Sequence, residues 1–127
     1  MISKLITTCV IVGLVYVSPI KEFPIEIVDV QLEATAYCHC VQCTGTSYEA
    51  PTASGETAKV NHTVAMAKNI PFGTRVLIGE QVYVVEDRGG AITDNRIDIF
   101  FNTHQEALEF GRKVVDAKII YQKGIEK

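Results

Sequence analysis

Glu86-Asp87-Arg88-Gly89-Gly90-Ala91-Ile92-Thr93-Asp94-Asn95-Arg96-Ile97-Asp98-Ile99-Phe100-Phe101 leads from the end of one apolar strand into the start of the next. Val84 and Val85 precede it, and Ile97, Ile99 and Phe100 close it. Between them, Gly89-Gly90 favours a tight turn that exposes backbone. Asp87 and Asp98 bracket this turn, each joined directly to apolar strand residues. A carboxylate at the edge of an apolar barrel end is poorly hydrated, so its charged form is disfavoured and its pKa rises. Two such groups brought close by a folded-back loop reinforce the effect. The bland alternative is a pair of turn-capping aspartates on a solvated hairpin. The flanking segments have to decide between the two.

Outward from this stretch the chain reads as many short strands. Ile27 to Tyr37 alternates, with Val28, Val30, Leu32 and Ala34 on one face and Ile27, Asp29, Gln31 and Glu33 on the other. Cys38-His39-Cys40-Val41-Gln42-Cys43 follows, then a loop rich in Thr, Ser, Gly and Pro to Gly55. Thr63 to Met66 and Arg75 to Ile78 are short strands around a turn at Ile70 to Thr74. Gly79-Glu80 closes a hairpin into Gln81 to Val85. Thr103 and Glu106 form a capping box that opens a short helix to about Gly111, burying Ala107, Leu108 and Phe110. Val114 to Tyr121 is the last strand, with Val115, Ala117, Ile119 and Tyr121 on one face. The pattern predicts a mainly β fold, a small closed six-stranded β-barrel with one short helix.

With 127 residues the chain supports one domain. A net charge of −3 and the lack of a basic run argue against nucleic acid as a partner. Met1 to Lys4 is short and positive, and Leu5 to Ile20 carries no charge, as in an export signal or signal-anchor helix. A span of that length is marginal against roughly 30 Å of bilayer hydrocarbon, so removal and retention as an anchor both stay open. Residues 1–20 are therefore read as signal or anchor, and 21–33 as spacer and lead-in strand, with Lys21 to Ile27 as the spacer. Residues 34–122 are read as the barrel domain, placed outside the cytoplasm, monomeric, and touching membrane only through the amino terminus.

Several short motifs occur in order: Thr35-Ala36-Tyr37-Cys38, Thr52-Ala53-Ser54-Gly55, Val64-Ala65-Met66, Ile70-Pro71-Phe72-Gly73-Thr74, Glu86-Asp87-Arg88-Gly89-Gly90-Ala91-Ile92 and Asn95-Arg96-Ile97-Asp98. In this order they resemble the three-aspartate (3D) domain, over roughly Ala34 to Tyr121. The resemblance implies a double-psi β-barrel related to the membrane-bound lytic transglycosylase A family. It also implies action on peptidoglycan glycan strands, by non-hydrolytic cleavage of the MurNAc–GlcNAc bond to a 1,6-anhydro end. The family's second and third aspartates fall on Asp87 and Asp98, and its catalytic acid on Asp98. Its first aspartate has no counterpart, since Ala67 follows Met66, and Thr93-Asp94 stands where Lys-Gly is usual.

Cleaving a glycosidic bond requires a proton on the leaving oxygen as an oxocarbenium-like centre develops. An ordinary Asp, with a pKa of about 3.9, is ionised near pH 7 and cannot supply it. Asp98 is expected to be the acid and then the base for the sugar's 6-hydroxyl. In this reading Ile97, Ile99 and Phe100 dry its surroundings, and Asp87 resists a second charge. Gly89, Gly90 and Ala91 expose N–H groups to sugar oxygens, Thr52 and Ser54 add hydroxyls, and Tyr37 stacks on a ring. Turn satisfaction and core packing are the rival roles for the last three. Asp94 reads as a turn residue that could replace the missing carboxylate, and Arg88 and Arg96 as sugar contacts or solvated loop cations.

Cys38-x-Cys40-x-x-Cys43 leaves an odd number of cysteines once Cys9, in the signal segment, is set aside. One disulfide with a free thiol is the simple outcome in an oxidising compartment, through Cys38–Cys43 or Cys40–Cys43. A structural zinc held with His39 or His62 is the sharper one, and no other cofactor is expected. Two further readings remain open: a non-catalytic glycan-binding barrel, which Ala67 favours, and a cysteine- or zinc-stabilised structural domain.

Overall fold

The computed structural model describes residues 13, 15–19, 22–45 and 50–123. Its elements are β1 (Ile25–Tyr37), α1 (Val41–Thr44), β2 (Thr63–Ala65), β3 (Arg75–Ile78), β4 (Gln81–Asp87), β5 (Arg96–Phe100), α2 (His104–Phe110) and β6 (Lys113–Gln122). The strands close into a barrel in the order β1-β5-β2-β4-β3-β6. Two neighbouring pairs, β1–β5 and β2–β4, run parallel, and the other four run antiparallel. Closure leaves no free sheet edge, which suits a mostly β chain too small to hide one.

Strand alternation sets the core as expected. Leu32 and Ala34 from β1, Val64 from β2, Val76 from β3, Val85 from β4, Ile97 and Ile99 from β5, and Ala117 and Ile119 from β6 meet inside. The β3–β4 hairpin turns through Gly79, whose φ of 60° is open to glycine at little cost. Thr103 caps α2 through the reciprocal capping box with Glu106, and Gly111 ends it.

The structure departs from the sequence reading at several points. β1 begins at Ile25, inside the expected spacer, because β6 pairs with it out to Gln122. β4 extends to Asp87 and β5 starts at Arg96, so both aspartates stand in the ladder rather than in the loop. Leu108 is 62 % exposed. Ala107 and Phe110, three residues apart, share the face of α2 that meets the barrel, and Leu108 lies off that stripe. The Phe110 ring packs 5.3 Å from that of Phe101. The turn α1 within the cysteine segment was not anticipated. Most of the expected signal or anchor lies outside the described residues, and residues 15–19 have no regular structure. Among the described residues no helix is long and apolar enough to cross a membrane.

Candidate functional site

One transverse row organises the outer face of the barrel. Thr35 on β1 pairs with Asp98 on β5, Asp98 with Ala65 on β2, and Ala65 with Asp87 on β4. The two aspartates therefore flank a single alanine, two strand spacings or roughly 10 Å apart along the backbone. A β-bulge makes this possible. Val64 pairs with Val85 and Ala65 with Asp87, leaving Glu86 as the extra residue. Without it Asp87 would follow Val85 by two and point inward; the added residue turns it outward.

Each carboxylate has its own donors. The Thr35 hydroxyl donates to Asp98 Oδ1 at 3.0 Å. Asp87 accepts from the Tyr37 hydroxyl at 2.7 Å, the Ala53 N–H at 3.0 Å and its neighbour Arg88's N–H at 2.8 Å. Burial pushes the Asp98 pKa above its ordinary value, and the Asp87 charge adds to the rise; the Thr35 hydrogen bond and the Arg96 charge oppose it. Burial and the bond to Asp87 hold the Tyr37 phenol far above its usual pKa, so it remains a proton-bearing donor.

The expected source of dryness is only partly right. Ile97 and Ile99 belong to the interior cluster and face away from Asp98. Phe100, two residues on, shares its face and packs edge-on against Tyr37 and His39 at ring distances of 5.5 and 4.9 Å. Ala65 on β2, paired with Asp98, and Tyr37 on β1 stand beside it on the same cleft.

A cleft of about 380 Å³ opens over the row, lined by Tyr37, Ala65, Asp87, Gly89, Gly90 and Asp98, with His39, Cys43, Thr44, Ala50, Pro51 and Arg88 around them. Asp98, Asp87, Tyr37, Gly89 and Gly90 are thereby brought together. A Cβ at Gly89 would lie 2.7 Å from Ile92 Cδ1, so a larger residue there would require the Ile92 side chain to shift. Thr52, Ser54 and Ala91 are not among the lining residues. The hydroxyls of Thr52 and Ser54 lie 3.0 Å apart, and Thr52 also donates to the Glu56 carbonyl, so they hold a turn. The Ala91 carbonyl accepts from Arg96. Asp94 is exposed in the loop. Arg88 is no solvated cation: its guanidinium donates to the carbonyls of Met66, Asp87 and Ile70 and lies 3.9 Å over the Phe72 ring.

Beside the cleft, three sulfurs and one ring nitrogen converge. Cys38 Sγ lies 3.1 Å from Cys40 Sγ and 3.4 Å from Cys43 Sγ, and His104 Nδ1 is 3.4–3.9 Å from all three. The histidine is neither His39, which stacks on Phe100, nor His62, whose Nε2 is 3.1 Å from Glu86 Oε1. Glu86, the bulged residue, also accepts from the fully buried Thr63 hydroxyl at 2.8 Å. Reasoning from sequence missed His104, Thr35 and Ala65. The signal for His104 was topological: β1 and β5 are parallel, with Tyr37 opposite Phe100, so whatever follows either strand emerges at the same barrel end.

Three comparisons bear on this arrangement. The model of the 3D domain matches residues 62–121. A putative cell wall shaping protein, YabE of Bacillus subtilis (strain 168), is 35 % identical over 95 residues, covering 70 % of this chain and 22 % of that protein. The crystal structure of MltA from E. coli superposes with a TM-score of 0.51 at 21 % identity, over 59 % of this chain and 28 % of that one. A second MltA structure, described as a unique lytic transglycosylase fold, gives 0.50 at the same identity. The chain thus spans about a fifth of the length of the curated relative it matches. Residues 62–121 thus carry a 3D domain, within a closed six-stranded barrel whose fold is that seen in MltA.

Proposed function

We propose that this protein is a peptidoglycan lytic transglycosylase acting outside the cytoplasm, with Asp98 as its acid and base. The observation that carries this reading is that Asp98, Ala65 and Asp87, neighbours in one row with Thr35 bonded to Asp98, line one cleft, with burial raising the Asp98 pKa. Protonated Asp98 gives its proton to the glycosidic oxygen as that bond breaks. The resulting carboxylate takes the proton of the sugar's 6-hydroxyl, whose oxygen closes on the anomeric carbon, so no water is consumed. Asp87, pinned by three donors, keeps a negative charge from settling early on Asp98 and faces the developing cation. Gly89 and Gly90 leave room for a sugar at the rim.

Incubation with purified sacculi, followed by mass spectrometry of soluble fragments, tests the reaction. New ends lacking a water relative to hydrolysis products are expected. A non-catalytic glycan-binding barrel is the second reading, favoured by Ala67 where the family carries its first aspartate. Retention on sacculi without new anhydro ends would select it.

Thr35 offers a finer check. Its hydroxyl stabilises the charged form of Asp98, so Thr35→Val should raise the Asp98 pKa further. Activity that needs the protonated acid falls as pH rises through that pKa. The alkaline limb of kcat/KM on soluble glycan fragments should therefore move to higher pH in the variant. A limb that stays put, or moves down, removes Asp98 from the acid role.

A further inference from the structure

We propose that Cys38, Cys40, Cys43 and His104 Nδ1 form a closed zinc site that fastens one wall of the cleft to the barrel. The four donor atoms lie within 4.8 Å of one another and come from three separate elements. Cys38 follows β1, Cys40 is the N-cap of α1 and Cys43 lies within it, and His104 opens α2. A tetrahedral zinc with Zn–S of about 2.3 Å and Zn–N of about 2.0–2.1 Å implies S···N edges of about 3.6 Å and S···S edges of about 3.8 Å. The three S···N distances, 3.4, 3.5 and 3.9 Å, straddle the first value. The S···S distances of 3.1 and 3.4 Å fall short of the second by roughly 0.4–0.7 Å, so the thiols must part by that much to seat the metal.

A disulfide explains this geometry less well. It needs two sulfurs about 2.05 Å apart and leaves no task for the third thiol or the imidazole. Here all three thiols are free and the ring nitrogen points at the same centre. The turn gathers the thiols: the N–H groups of Cys43 and Thr44 both donate to the Cys40 carbonyl, bringing Cys43 back over Cys40. Three thiolates and a neutral imidazole satisfy zinc with no open position, so the metal is structural, and binding releases the thiol protons. Its mechanical effect is local. Cys43 and Thr44 line the cleft, so the metal would hold α1 against the ends of β1 and α2.

The test needs no enzyme assay, so its failure is distinct from failure of the glycan reading. The full chain, purified without chelator, should contain one zinc per molecule by elemental analysis. Cobalt substituted for zinc should give thiolate-to-metal charge-transfer absorption and the intense visible bands of a tetrahedral site. Stripping the metal should lower Tm by on the order of 10 °C or more. His104→Ala should weaken zinc at least 100-fold in competition with a chromophoric chelator, while His39→Ala and His62→Ala retain it. Wild type carrying no zinc and one disulfide would overturn the proposal. So would a His104→Ala variant with unchanged affinity. If a variant fails to fold, the wild-type cobalt spectrum decides.

Discussion

Asp98→Asn is expected to abolish release of anhydro-muropeptides from sacculi, by a factor of roughly 10²–10⁴, while leaving the barrel folded. Asn keeps an oxygen to accept the Thr35 hydroxyl but has no proton to give and cannot become a base. Its stability effect has an unusual sign. The fold raises the Asp98 pKa, so the wild type binds a proton more tightly folded than unfolded. The contribution of Asp98 is full below its unfolded pKa and is lost as pH rises through its folded one. The variant does not titrate, so its Tm relative to wild type should climb with pH across that interval. Undiminished product release would eliminate the assignment. A Tm difference that is flat with pH would show that burial does not work against the charge.

Ile97→Ala should destabilise the protein by about 2–5 kcal/mol, a large share of a small domain's stability. Ile97 is fully buried and sits opposite Ala34 on β1, which is already small and cannot fill the space left behind. The upper half of that range is therefore expected from denaturant unfolding. Ile97 and Asp98 are adjacent but face opposite sides of β5. The pH dependence of activity, measured well below the variant's Tm, should match wild type. A displaced profile would mean that the interior packing, and not the outer row, sets the acid.

The contrast between these neighbours shows what the sequence could and could not convey. Alternation along β1 and β6 made Leu32, Ala34, Ala117 and Ile119 legible, because a period of two is a local signal. The capping box at Thr103 was legible for the same reason. Attributing the dryness of Asp98 to Ile97 and Ile99 failed because chain neighbours in a strand point apart. Tyr37 and Ala65, which share its cleft, lie on other strands. The Glu86 bulge depends on how β2 registers against β4, and the meeting of His104 with the cysteines depends on a parallel pairing. Neither relation leaves a trace within a short window of sequence. The sequence left Arg88 and Arg96 open between sugar contacts and solvated cations, because the Met66 and Ile70 carbonyls that hold Arg88 and the Glu33 carboxylate beside Arg96 belong to other segments.

The seam between β1 and β6 has a consequence for synthesis. β1 is the first strand made and β6 the last, and β6 also pairs with β3. Until Lys113 to Gln122 arrives, the sheet stays open, with β1 and β3 as borders that each lack one partner. A chain emerging amino end first cannot complete this barrel piecemeal. The barrel closes only once Lys113 to Gln122 is available to bridge β1 and β3.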